Sequence, residues 1–104
     1  MTVAAKTTRE IRELEFNGRL LKFNPPLEVV VEEEPDCVAV MAPQLQLEAA
    51  AESADEAWSM FSDLVISVYL QYRELKPEQM HPSAQRQARG LFDIVAGFYI
   101  RQPS

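Results

Sequence analysis

The sequence predicts an α+β domain in which a small antiparallel sheet of about five strands is covered on one face by two C-terminal helices. Three short apolar stretches, at residues 27–31, 38–42 and 45–51, have the length and side-chain character of strands. A capped amphipathic pattern begins directly after them at Ser53 and continues to Tyr72, and a second such pattern covers residues 83–100. Because the strands precede the helices, we expect both helices to pack on the same side of the sheet.

The length and charge of the chain limit the classes of protein to which it can belong. The 104 residues suit one domain, which we place at residues 9–104 after a flexible N-terminus of residues 1–8. Hydrophobic residues make up 47% and charged residues 25%, as in ordinary globular proteins. The formal net charge is −6 and the ten lysines and arginines are spread along the chain, so we expect no direct binding of nucleic acid.

The cysteine count and the N-terminal sequence predict the cellular compartment of the protein. Cys37 is the only cysteine, which excludes an intramolecular disulfide, and its place in an apolar strand pattern favours a packing role. The first residues lack a basic start followed by an apolar run, and no apolar run reaches membrane-spanning length. We therefore predict a cytoplasmic protein without a membrane segment.

The N-terminal part predicts a hairpin. The dipeptide Asn17-Gly18 tolerates the positive φ angles of a type I′ turn, which suits two paired strands. The register then creates two matched cross-strand pairs: Leu14 with Leu21 and Glu13 with Lys22. A short helix over residues 7–15 is the alternative, because Arg, Glu and Leu favour helix.

The middle of the chain alternates strands and turns. Pro25-Pro26 predicts an extended corner before the strand at residues 27–32. The acidic run at residues 32–34 predicts a solvated turn, since nothing near it in sequence completes a carboxylate site. The stretch at residues 45–51 is interpreted as a strand whose alternate residues face a helix.

Both predicted helices have apolar stripes and apolar residues outside them. The Ser53 hydroxyl is placed to accept from the amide of Glu56 and so to cap the first helix. Ile66 and Leu70 lie off the main stripe of that helix, which indicates a second covering element. Residues 83–100 have apolar spacings of three and four and are predicted to form that cover as one helix.

No motif predicts catalysis, a cofactor or a metal ion. The sequence has no glycine-rich phosphate loop, no paired histidines at metal-ligand spacing and no paired cysteines. His81 precedes Pro82, where it suits a helix cap or an exposed position. An enzyme that uses Cys37 or His81 in a pocket between sheet and helix stays open as an alternative, although a non-catalytic protein fits the sequence better.

Residues 27–72 resemble the HicB-like antitoxin domain. The segments that carry the resemblance are a strand that ends in acidic residues (29–32), a second strand (38–41) and Ala42-Pro43-Gln44-Leu45, which is similar to the Pro-Glu-Leu element of the family. Residues 52–57 are similar to the start of the family's helix, with Glu52 in place of a glycine. The Asn17-Gly18 hairpin is an addition, and the family's usual C-terminal DNA-binding region is not visible.

The resemblance implies a partly degraded ribonuclease-H-like fold and a non-catalytic role as a protein-binding module. It also implies an antitoxin-type partnership with a small basic ribonuclease toxin, and the acidic balance of this chain suits such a partner. A structural oligomerisation module with no separate ligand is a further alternative.

The apolar residues outside the main stripes predict a homodimer or larger closed assembly. Two helices on one sheet face can hide only part of them, and an exposed apolar patch usually marks an interface. We expect an edge strand or the C-terminal helix to form the contact. The predicted interface residues are Ile66, Leu70, Ile94, Phe98 and Ile100. Alternatively, the N-terminal hairpin covers this patch within a monomer.

Overall fold

Five strands and two α-helices make up the computed structural model, which describes residues 5–101. The predicted α+β class is confirmed. The strands are β1 (Ala5–Phe16), β2 (Arg19–Glu34), β3 (Cys37–Ala42), β4 (Leu47–Ala51) and β5 (Val95–Ile100). The helices are α1 (Ala54–Glu74) and α2 (Pro82–Ile94), with short 3-10 turns at Pro43–Leu45 and Pro77–Gln79. Neither α-helix within residues 5–101 is long and apolar enough to cross a membrane.

One antiparallel sheet contains all five strands, and the 16-residue strand β2 is its centre. β1 pairs along one side of β2. On the other side, β5 pairs with residues 19–23 and β3 pairs with residues 30–34, after which β4 continues the sheet from β3. β2 therefore joins the first and last strands of the described chain.

The predicted hairpin is confirmed, and the alternative of a helix over residues 7–15 is wrong. Asn17 and Gly18 have φ angles of 52° and 76°, as a type I′ turn requires. Leu14 lies opposite Leu21, and the pair Glu13–Lys22 is in register as predicted.

The prediction that a strand begins only after Pro25-Pro26 is wrong, because β2 continues through both prolines. The pairing of β1 with β2 shifts between Ile11 and Glu13, so that residues 23–26 of β2 lie opposite Arg12 alone. A proline in a strand is tolerated where no ladder hydrogen bond needs its missing N–H. The shift in register provides such a place.

The core lies between the sheet and the two helices. Strand residues such as Leu27, Val29 and Val40 are fully buried and belong to the same apolar cluster as Phe61 and Val65 of α1 and Leu91 of α2. Both helices therefore cover the same side of the sheet, as predicted. The cap of α1 is confirmed, since the Ser53 hydroxyl accepts from the amide of Glu56 at 3.3 Å.

The single helix predicted for residues 83–100 is wrong beyond Ile94, where the chain turns into β5. Residues 95–100 are rich in β-branched and aromatic side chains, which fit a strand. The edge of β2 at residues 19–23 offers them hydrogen-bond partners. The Arg101 amide then donates to the Gly18 carbonyl at 2.6 Å and closes the hairpin against the end of β5.

Two boundaries of secondary-structure elements also differ from the prediction. Residues 43–45 form a 3-10 turn that ends at Gln46 with a φ angle of 56°, so the strand expected at residues 45–51 begins at Leu47. β1 already begins at Ala5, so residues 5–8 of the predicted flexible N-terminus are part of the sheet. Residues 1–4 lie outside the described residues.

Candidate functional site

The side of the sheet that faces away from both helices is the principal candidate surface. On β3, buried Val38, Val40 and Ala42 alternate with half-buried residues that face the other way. Alternation and register identify the residues on the uncovered side of one part of the sheet, formed by residues 5–11 of β1, residues 27–34 of β2, and strands β3 and β4. We call this surface the outer face. Its residues are Lys6, Thr8, Glu10, Glu28, Val30, Glu32, Glu34, Cys37, Ala39, Met41, Glu48 and Ala50.

Small apolar side chains form the centre of the outer face. Val30 lies opposite Met41, and Ala39 lies opposite Ala50. Val30, Ala39 and Met41 are half-buried, because neighbouring strands screen them partly and neither helix of the described chain covers them on this side. The centre is therefore apolar, and its backbone is fixed by the sheet.

Carboxylates surround this centre. The acidic residues of the outer face are Glu10, Glu28, Glu32, Glu34 and Glu48, against Lys6 as its one basic residue within the described chain. The Lys6 ammonium lies 3.4 Å from the Glu32 carboxylate, and this pair is largely exposed. Glu10 and Glu28 lie directly opposite each other, an arrangement of like charges that destabilises a strand pair. The outer face therefore attracts cationic groups.

Sequence reasoning missed most of this surface. It treated residues 32–34 as a solvated turn and gave no role to Glu10, Glu28 or Glu48. The alternation of Glu28 with Leu27 and Val29 was the available signal for an exposed glutamate. The meeting of Glu10 with Glu28 depends on the register shift near Arg12, which local sequence does not specify.

Cys37 and His81 are not brought together as a catalytic pair. Cys37 is a half-buried free thiol at the start of β3, on the outer face. His81 caps α2 on the other side of the sheet, where its Nδ1 accepts from the amide of Ser83 at 3.2 Å. The predicted capping role of His81 is confirmed. No group of three His, Cys, Asp or Glu side chains within residues 5–101 is arranged to hold a metal ion.

A cleft of about 540 Å³ separates the end of α1 from α2. Tyr69 and Phe92 form an edge-to-face pair in its wall with ring centres 5.7 Å apart, and Arg73 lies beside them. Tyr72 also lines the cleft, and its hydroxyl donates to Gln87, whose amide donates to the Leu45 carbonyl at 2.6 Å. These hydrogen bonds fix α2 against α1 and the 3-10 turn.

The predicted interface residues have different environments. Ile66 and Ile94 are buried in the core of the single chain and are not available to a second copy. Leu70 and Phe98 are partly buried against the core. Ile100 is exposed at the end of β5. Phe98 and Ile100 lie on a strand, where the sequence placed them on a helix.

No family model matches this chain, and no curated protein and no solved structure matches it either.

Proposed function

We propose that this chain is a non-catalytic protein-binding module, an antitoxin-type partner of a small basic ribonuclease toxin in the manner of HicB-like domains. The observation that supports this proposal most is the outer face, where carboxylates surround an apolar centre on the uncovered side of the sheet. The outer face is the surface that binds the partner.

The arrangement of charged and apolar residues on the outer face suits a basic protein. An apolar centre with a charged rim is the usual anatomy of a protein interface. The carboxylates of the rim attract a cationic partner over a distance and fix its orientation. Glu10 and Glu28 repel each other in the unbound protein. Lysine or arginine side chains of a partner that contact them remove this repulsion, which contributes to the binding free energy.

The negative charge of the outer face also disfavours nucleic acid as its ligand. Phosphate groups are repelled by the same glutamates that attract a basic protein. The location expected for such a pair is the cytoplasm, in agreement with a chain that has a single free cysteine.

The test is direct binding to the product of a small basic open reading frame adjacent to this gene. We expect a complex, and we expect this chain to suppress RNA cleavage by that product. Glu28→Lys combined with Glu48→Lys should weaken binding at least about tenfold, because both changes place positive charge on the outer face. Binding to the wild type should weaken as salt increases.

Glu74→Lys combined with Glu78→Lys is the matched control. Glu74 and Glu78 are exposed glutamates at the end of α1 and in the connection to α2, so the same change in net charge occurs away from the sheet. Equal loss of binding in both variants would show that only net charge matters and would contradict the outer face as the site. The absence of an adjacent basic reading frame, or a product that does not bind, would contradict the antitoxin role.

A further inference from the structure

Large exposed apolar side chains are concentrated at the C-terminal end of the fold. Among the described residues, the exposed ones are Met60 (50%), Phe92 (40%), Tyr99 (51%) and Ile100 (68%). Phe92 belongs to α2, and the last two belong to β5. Only Met60 lies elsewhere, on α1. This concentration is distinct from the outer face, where Val30 and Met41 form the centre.

β5 has an open edge. It pairs with β2 on one side, and no strand of the described chain pairs with its other side. An exposed edge offers unpaired N–H and C=O groups to another strand, and charged side chains or irregularities usually protect it. The register shift opposite Lys22 and Phe23 leaves Ala96 unpaired, which protects the start of β5 only. Residues 97–100 are regular strand.

The other two edges of the sheet carry charge, but β5 does not. The edge strand β1 contains Lys6, Arg9 and Arg12 among its charged residues, and the edge strand β4 contains Glu48. The sequence of β5, from Val95 to Ile100, has no charged residue. Short neutral segments of this kind are the ones that associate through their edges.

We propose that β5 pairs with β5 of a second copy, antiparallel and around a twofold axis, so that two sheets become one. A copy of the same strand is the partner that fits. Two identical antiparallel strands satisfy each other's hydrogen-bond groups by symmetry, and a twofold contact closes the assembly. Because β5 is neutral, a second copy brings no like charge to the edge.

The surroundings of β5 also permit two acidic chains to approach. The Arg101 guanidinium lies 3.2 Å from the Glu15 carboxylate, which neutralises the end of the strand. The Lys22 ammonium lies 5.5 Å from the centre of the Tyr99 ring, and the Arg73 guanidinium lies 5.5 Å from the centre of the Phe98 ring. Positive charge near β5 therefore offsets the acidic balance of the chain at this place.

This dimer does not depend on the proposed function, because it uses a different surface. It leaves the outer face of both copies uncovered and on the same side of one continuous sheet. A partner that contains two basic sites would then bind both copies at once, and binding of that kind is tighter than binding to one copy.

The test combines molecular mass with a matched pair of variants. Sedimentation equilibrium of the wild type should give a mass near 11.8 kDa at low concentration and near twice that value at high micromolar concentration. Ile100→Lys should remain monomeric, because a lysine protects an open edge. Met60→Lys, which changes an exposed apolar residue of α1 in the same way, should dimerise like the wild type.

Hydrogen exchange of the wild-type protein keeps the proposal testable if Ile100→Lys fails to fold. The amides within residues 97–100 that point away from β2 should become more protected as concentration increases, while exposed amides at the edge of β1 stay unchanged. A wild type that is monomeric at every concentration would overturn the proposal. Dimerisation that survives Ile100→Lys and is lost in Met60→Lys would overturn it too.

Discussion

Glu10 and Glu28 lie directly opposite each other on β1 and β2, with both side chains on the uncovered side of the sheet. Like charges in this arrangement reduce the stability of the pair, and nothing in the fold requires glutamate at either exposed position. The pair is explained if these carboxylates serve binding rather than folding.

Replacement of Glu28 by lysine should therefore stabilise the isolated protein while it weakens partner binding. The change converts a repulsive cross-strand pair into an attractive one, worth about 0.5 kcal/mol in the free energy of unfolding. Urea denaturation at low and high salt measures the effect. The gain should decrease at high salt, because both side chains are exposed. A loss of stability at low salt would show that Glu10 and Glu28 do not repel each other.

Replacement of Ser53 by alanine should destabilise the protein by about 1 kcal/mol, because the Glu56 amide loses its cap. Thermal or urea denaturation measures the change. Ser59→Ala is the control, since Ser59 is an exposed residue inside α1 and alanine favours helix there. Equal destabilisation by both substitutions would mean that the hydroxyl of Ser53 has no special role.

Truncation of Phe61 to alanine should cost about 3–5 kcal/mol, as for other large aromatic residues in a core. Phe61 is fully buried and packs edge-to-face on Trp58, with ring centres 6.1 Å apart. The neighbouring Met60 is half exposed, so Met60→Ala should change the free energy of unfolding far less. Similar losses from the two substitutions would contradict the orientation of α1 on the sheet.

Replacement of Gly18 by alanine should destabilise the hairpin by about 1–2 kcal/mol. The φ angle of Gly18 is 76°, and an added Cβ would lie 2.9 Å from the Arg101 carbonyl oxygen. Asn17→Gly, at the other turn position, keeps the positive φ angle accessible and should be nearly neutral. Urea denaturation of the two variants makes the comparison. A neutral Gly18→Ala would show that the turn and the end of β5 are not in contact.

Local sequence was enough to predict the hairpin, the cap of α1 and the α+β class, because each depends on residues that are neighbours in the chain. Asn17-Gly18 specifies its own turn, and Ser53 specifies its own cap. The change from helix to strand at Val95 was missed. Apolar spacings of three and four suit a helix, but the free edge of β2 at residues 19–23 favours a strand there. That edge is distant in sequence, so periodicity does not reveal it.

The candidate site was harder to predict for the same reason. Glu10, Glu28 and Glu48 belong to three strands, and each of them alone is an ordinary exposed residue. Only the register places them around Val30 and Met41. Ile66 of α1 and Ile94 of α2, which were predicted at an interface, lie in the core instead. The two helices and the sheet bury more apolar surface against one another than the apolar pattern indicated.

The outer face as the binding surface is tested most directly by backbone amide shifts of the isotopically labelled protein during titration with the product of the adjacent basic reading frame. The account predicts the largest shift changes at Val30, Ala39 and Met41 and at the glutamates around them, with little change along α1 and α2. Changes confined to the cleft between α1 and α2, or to β5, with an unperturbed outer face would contradict it.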